Sequence, residues 1–177
     1  MENTFNHAVY SKNVIEFVAV SNEYCTFVEN ASGLEKKYLI DTTLKLLSLL
    51  YLKATMLPAV DSVNEEDSEK IVTESDWNLI KDSIAEKLGR SDSYIDFYDH
   101  QMQEASEPIT SSISENLADI YQDLKDFLHL YRFGVADIMN DALFECEQNF
   151  QQYWGQRLIN SIRILHHIFF VTKDFED

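Results

Sequence analysis

The sequence predicts an all-α protein, an antiparallel helical bundle of four long helices plus one or two short helices. Three observations carry that expectation. Only four glycines and two prolines interrupt 177 residues. No stretch alternates apolar and polar side chains, rich in β-branched residues, for long enough to read as a strand. Apolar residues instead recur every three or four positions along most of the chain. With 45% apolar content at this length, residues 1–177 are expected to form one domain with a real core.

The first helix starts near Ser11, whose hydroxyl suits the free amides of a first turn. It carries Val14, Phe17, Val18, Tyr24, Cys25 and Val28 at helical spacing until Ser32 and Gly33 stop it. The second, residues 34–56, is apolar over more than half its circumference and is expected to be the most enclosed helix. Pro58 ends it, because the residue before a proline is driven out of helical geometry.

Residues 58–107 form an acidic, loop-rich middle segment. Between 61 and 107 stand 14 acidic and 4 basic residues, a net charge of −10 out of −17 for the chain. Residues 60–70 read as a solvated loop. Thr73 or Ser75 then caps a short helix with Trp77, Ile80, Ile84 and Leu88 on one face, closed by Gly89. Residues 91–107 read as turns with at most one short helix, pinned over an end of the bundle by Tyr94, Phe97 and Tyr98. Pro108 is expected near the start of the fourth long helix, where a missing amide costs little. That helix carries the cleanest amphipathic stripe, from Ile113 through Leu117, Ile120, Leu124 and Phe127 to Tyr131, and Gly134 ends it.

The last stretch, residues 135–171, contains no proline and one glycine, Gly155, so it reads as a single helix or as two halves joined there. Its apolar stripe changes face. Met139, Ala142, Leu143, Cys146, Phe150 and Tyr153 share one side, and after Trp154 the series continues through Leu158, Ile162, Leu165 and Phe169 about 90° away. Arg157 falls where the first half of the pattern would put a core residue. An unpaired buried guanidinium is expensive, so Arg157 is expected to find acceptors on the neighbouring helix.

Composition excludes several classes. A formal charge of −17 argues against nucleic acid and against anionic membrane surfaces, both of which need Lys and Arg. The longest apolar run, between Lys45 and Lys53, is too short to cross a bilayer. Residues 1–7 lack a basic region followed by an apolar one, so a cytoplasmic location is expected, with Cys25 and Cys146 as reduced core residues. No glycine-rich phosphate loop, CxxC, HExxH or GxSxG motif occurs.

Two constellations remain. Asp119, Asp123 and Asp126, at spacings of four and three, line one edge of the fourth helix about 110° from its core stripe. They define a candidate divalent-cation site, and the simpler reading, favoured over it, is solvated acids with one or two paired to arginine. Asp126 and His129 have a carboxylate-x-x-His spacing, but His129 points away from the core stripe and no second such motif occurs. Trp154, Gly155 and Arg157, with Asp119 and Asp123 opposite, define a candidate ligand pocket or a tightly packed kink with one ion pair. His166 and His167 point about 100° apart and cannot face one site.

The run Asp119-Ile120-Tyr121-Gln122-Asp123-Leu124-Lys125-Asp126, the later residues 150–158 with Trp154 and Gly155, and Ile164-Leu165-His166 resemble a family of bacterial proteins described as domain of unknown function 5063. The likeness extends to the opening Val14-Ile15-Glu16-Phe17 and to the acidic middle. It implies an all-helical bacterial domain and no activity or cofactor. The leading functional expectation is a non-enzymatic binding or protein-interaction domain whose acidic surface meets a basic protein surface. The alternative is a metal-dependent, hydrolase-like enzyme with Asp119, Asp123 and Asp126 as ligands and Arg157 holding an anion.

Overall fold

A computed structural model of the chain describes residues 7–64, 68–98 and 104–176, and these are mostly helical. In order they form α1 (Lys12–Glu29), α2 (Lys36–Ala54), α3 (Glu74–Leu88), strands β1 (Ser93–Tyr98) and β2 (Glu104–Ser112), α4 (Ile113–Tyr131), α5 (Ala136–Asn149) and α6 (Gly155–His166). A π turn, Phe150–Trp154, joins α5 to α6, and a second, His167–Thr172, extends α6.

The helix starts follow local chemistry. Ser11 accepts from the amide of Val14, and Ser112 accepts from that of Glu115. Thr73 and Asp76 exchange bonds in a capping box at the start of α3. At its end Gly89 takes φ +56°, a left-handed value that side chains with a Cβ rarely adopt.

Two expectations are corrected. The most enclosed helix is α4, not α2: twelve of the nineteen α4 residues are buried, because α1, α3, α5 and α6 all pack around it. α2 packs mainly on α1 and α6, so Tyr38, Leu49, Leu52 and Met56 stay on the outside. The protein is also not all-α. β1 and β2 form an antiparallel hairpin with Tyr94 opposite Ser111 and Asp96 opposite Ile109, and the register shifts between Asp96 and Tyr98. Tyr94 and Asp96 are buried while the alternate residues Ile95 and Phe97 are more than half exposed. That is strand periodicity, hidden in the sequence because one face pairs an aromatic with an acid. Pro108 accordingly lies in β2, and α4 begins only at Ile113. Part of the segment read as turns, residues 99–103, lies outside the described residues.

Asp92 fixes the hairpin to the bundle. Its main-chain oxygen accepts from Ile113, and its carboxylate accepts from both the amide and the hydroxyl of Ser114, each at 2.7 Å. The same carboxylate therefore sits at the positive end of α4 and at the root of both strands.

The face change in the last helix comes from the π turn. Gly155 donates its amide to the carbonyl of Phe150, five residues back. One extra residue in a turn absorbs about 100° of helical phase. Trp154 is thereby fully buried, with its indole N–H on the Cys146 carbonyl and its ring near Phe17 and Phe150. Tyr153, expected in the core stripe, is instead 40% exposed.

A Cβ at Gly155 would collide with the Phe150 carbonyl oxygen and stand 3.0 Å from its ring. Gly155→Ala should therefore cost about 1–3 kcal/mol despite the higher helix propensity of alanine. Urea unfolding should show a lower midpoint at unchanged slope, and a midpoint at or above wild type would refute the close-contact account.

Candidate functional site

Four elements converge on Asp119. Its Oδ1 accepts from the indole N–H of Trp77 on α3 at 3.0 Å. Its Oδ2 accepts from the Tyr153 hydroxyl at 2.9 Å and from Arg157 Nε at 2.5 Å. The Arg157 guanidinium also lies 3.6 Å from the centre of the Tyr153 ring, a stacked cation–π contact. The two side chains of the ion pair are only 18% and 15% exposed, so it is shielded well beyond an ordinary surface pair. Burial and the neighbouring Asp119 carboxylate push the Tyr153 phenol up to about 12, so it stays a donor.

Beside this knot lies a cleft of about 390 Å³, bounded by the hairpin, the first half of α4, the π turn and α6. Amide and hydroxyl groups line much of it, among them Asn116, Gln152, Gln156, Asn160 and Ser111. Its charged groups are Asp96, Glu115 and Asp119 against Arg157. Asn116 donates to the Tyr94 hydroxyl at 2.8 Å, Asn160 donates to Asp96 at 3.2 Å, and the Arg163 guanidinium lies 3.9 Å from Asp96.

The other candidate residues lie elsewhere. Asp123 accepts from Asn149 at 2.7 Å. Burial raises its pKa to about 6, and the Asn149 hydrogen bond and nearby Lys70 only partly oppose that. Asp126 is buried and accepts from the backbone amides of Ile71 and Val72, which pins the loop ahead of α3 onto α4. Asp141 on α5 does the same for Val63 and Asn64, and Lys70 pairs with Glu145. Trp154 is in the core rather than at the cleft.

The three aspartates are thus not grouped around one point. Each is committed to different donors, and among the described residues no three His, Cys, Asp or Glu side chains are grouped to hold a metal ion. The carboxylate stripe is explained instead by hydrogen bonds from α3, α5, α6 and the loop. His129 stacks edge-on against Phe133, and His166 and His167 are exposed. Burial pushes both cysteine thiols up, which leaves them poor nucleophiles. Trp77, Tyr153 and the hairpin residues were not singled out by sequence for this site. A signal existed for Trp77 alone, an indole on a short helix whose N–H needs an acceptor.

Fold and cleft together define a mostly helical domain whose bundle carries a hairpin-rimmed polar groove. The chain belongs to the family described as domain of unknown function (DUF5063), whose profile matches residues 8–170. It is similar to protein BF1032 from Bacteroides fragilis. That crystal structure superposes with a TM-score of 0.83 at 41% identity, covering 93% of this chain and 96% of that one. A search of the curated proteins finds no match. Neither the family description nor the relative's name assigns an activity.

A double-mutant cycle on Asp119→Ala and Arg157→Ala should give a coupling energy of about 1–3 kcal/mol. Asp119→Ala should be the costlier single change, because it strips acceptors from Trp77 and Tyr153 as well as from Arg157. Coupling near zero in denaturant titrations would reduce the pair to a surface contact.

Asp123 makes stability pH-dependent in a defined sense. Its folded pKa lies above its unfolded value, so its contribution is fully present below about pH 4 and is lost as pH rises through about 6. Asp123→Asn keeps an acceptor for Asn149 and removes the poorly solvated charge. It should stabilise the protein by about 1–2 kcal/mol at pH 8, with the gain disappearing near pH 4. A gain of equal size at both pH values in thermal unfolding would contradict this.

Proposed function

We propose that the chain is a binding module that seats a basic segment of a partner protein in the hairpin-rimmed cleft. The observation that carries this reading is the charge around that cleft: three carboxylates, Asp96, Glu115 and Asp119, stand against two guanidinia, Arg157 committed to Asp119 and Arg163 3.9 Å from Asp96. A lysine or arginine side chain entering there restores local neutrality. The amides of Gln152, Gln156 and Asn160, at four-residue spacing along one helix face, offer both donors and acceptors to a bound main chain. The acidic residues 61–107 add a long-range attraction for the same partner, which raises encounter rate more than affinity.

The two contributions are separable by stopped-flow binding of a Lys/Arg-rich peptide. Neutralising Asp61 and Glu69 should slow association without changing dissociation. Glu115→Gln with Gln156→Ala should speed dissociation about tenfold or more and leave association nearly unchanged. Binding that is indifferent to the cleft variants, or a peptide that does not bind at moderate salt, would overturn the proposal.

A further inference from the structure

A second cavity, of about 750 Å³, opens between the start of α2, the end of α3 and tail residues Phe175 and Glu176. Lys36, Lys37, Lys87 and Arg90 line it, four of the 14 basic residues in a chain of net charge −17. Glu35, Glu86 and Glu176 also border it, and all three are exposed, so their carboxylates are solvated and can turn outward. The lining side chains alone carry a net charge of +1, four cations against three carboxylates, and the tail's Asp174 beside them supplies the fourth carboxylate.

Lys36 is the anomaly here. It is 8% exposed, yet its ammonium donates at 3.5 Å, the long limit of a hydrogen bond, to the neutral main-chain oxygen of Glu176. A buried ammonium is stabilised far better by an anionic acceptor. The chain's own tail supplies a partial substitute. Lys173 takes a left-handed φ of 53°, which turns residues 174–176 back across the cleft. Asp174 accepts from the Ser91 hydroxyl at 2.7 Å, and that bond, followed by the field of Lys36, holds its carboxyl below the usual range. The Phe175 ring stacks edge-on with Phe169 and lies 5.3 Å from the Lys37 ammonium. Glu35, the residue before α2, makes no side-chain bond to the first-turn amides, so these too are open to an acceptor.

We infer that this cleft binds a small, multiply charged oxyanion, bearing a diphosphate or several carboxylates, held by Lys36, Lys37, Lys87 and Arg90 in competition with tail residues 174–176. The volume suits such a molecule, and a point-charge cluster of this kind recognises charge more than shape. The site is separate from the hairpin-rimmed cleft and does not depend on what that cleft binds.

Calorimetric titration of the full chain with pyrophosphate and with citrate, against sodium chloride at matched ionic strength, tests the inference. Both oxyanions should bind above the chloride control. Lys87→Gln with Arg90→Gln, two positions outside the core, should weaken them at least tenfold. Asp174→Asn with Phe175→Ala, which loosens the tail, should tighten them. Heats no larger than the chloride control, or equal affinity in the Lys87/Arg90 variant, would overturn the inference. So would capture of an Asp-Phe-Glu peptide without response to either oxyanion.

Discussion

One hydrogen bond, from the Gly155 amide to the Phe150 carbonyl, sets the geometry of both the core and the cleft. An unbroken α-helix from Ala136 onward would carry Tyr153 inward with the Cys146 face. The extra residue of the π turn delays every later side chain by about 100°. Trp154 therefore enters the core, where it touches Phe17 of α1, and Tyr153 leaves it to meet Asp119. Arg157, one turn on, then lies against the same carboxylate with its guanidinium over the Tyr153 ring. Glycine at position 155 is what permits so close a carbonyl. The π turn persists because the burial of a tryptophan, worth several kcal/mol in cavity terms, holds it from one side and a shielded ion pair from the other.

In a chain with 31 acidic and 14 basic side chains, the carboxylates that tie one element to another are met mostly by uncharged N–H and O–H donors. Asp92 takes the first turn of α4, Asp126 takes two amides of the loop before α3, Asp141 takes two more from residues 63 and 64, and Asp119 takes an indole, a phenol and a guanidinium. In each case the donors come from a different element than the acid. These carboxylates position the hairpin and the acidic loop on the bundle, together with the packing of Tyr94, Val60 and Val72 against the core. Asp123 is the exception. It has an asparagine and little else, and its raised pKa records the incomplete compensation.

Helix periodicity was legible because it is written in many residues at once. The Thr73 cap, the Gly89 stop and the α4 stripe sit where sequence places them. The hairpin was not legible, because Tyr94 and Asp96 form its inner face and Ile95 and Phe97 its outer one, the reverse of the usual pattern. The wide apolar surface of α2 misled for a related reason. Composition counts apolar residues but not the neighbours that would cover them, and among the described residues Leu49, Leu52 and Met56 stay 44%, 52% and 42% exposed. The displaced stripe around Trp154 was visible, but phase alone does not distinguish a bend from an inserted residue. The hydrogen-bond length of five residues does.

Before any ligand arrives, the cleft already holds its charged side chain in place. Arg157 is fixed by an ion pair and a stacked ring, and Tyr153 by a phenol–carboxylate bond, so their rotamer entropy is lost on folding rather than on binding. Asp119 is engaged on both oxygens and works as the anchor of the wall, not as a group that reaches out. In the binding reading proposed above, discrimination falls to the groups around it: Glu115 for charge, and the amides of α6 for hydrogen-bond pattern. Arg157 offsets Asp119 and Arg163 lies 3.9 Å from Asp96, so the proposed preference for a cation rests on one excess carboxylate, Glu115.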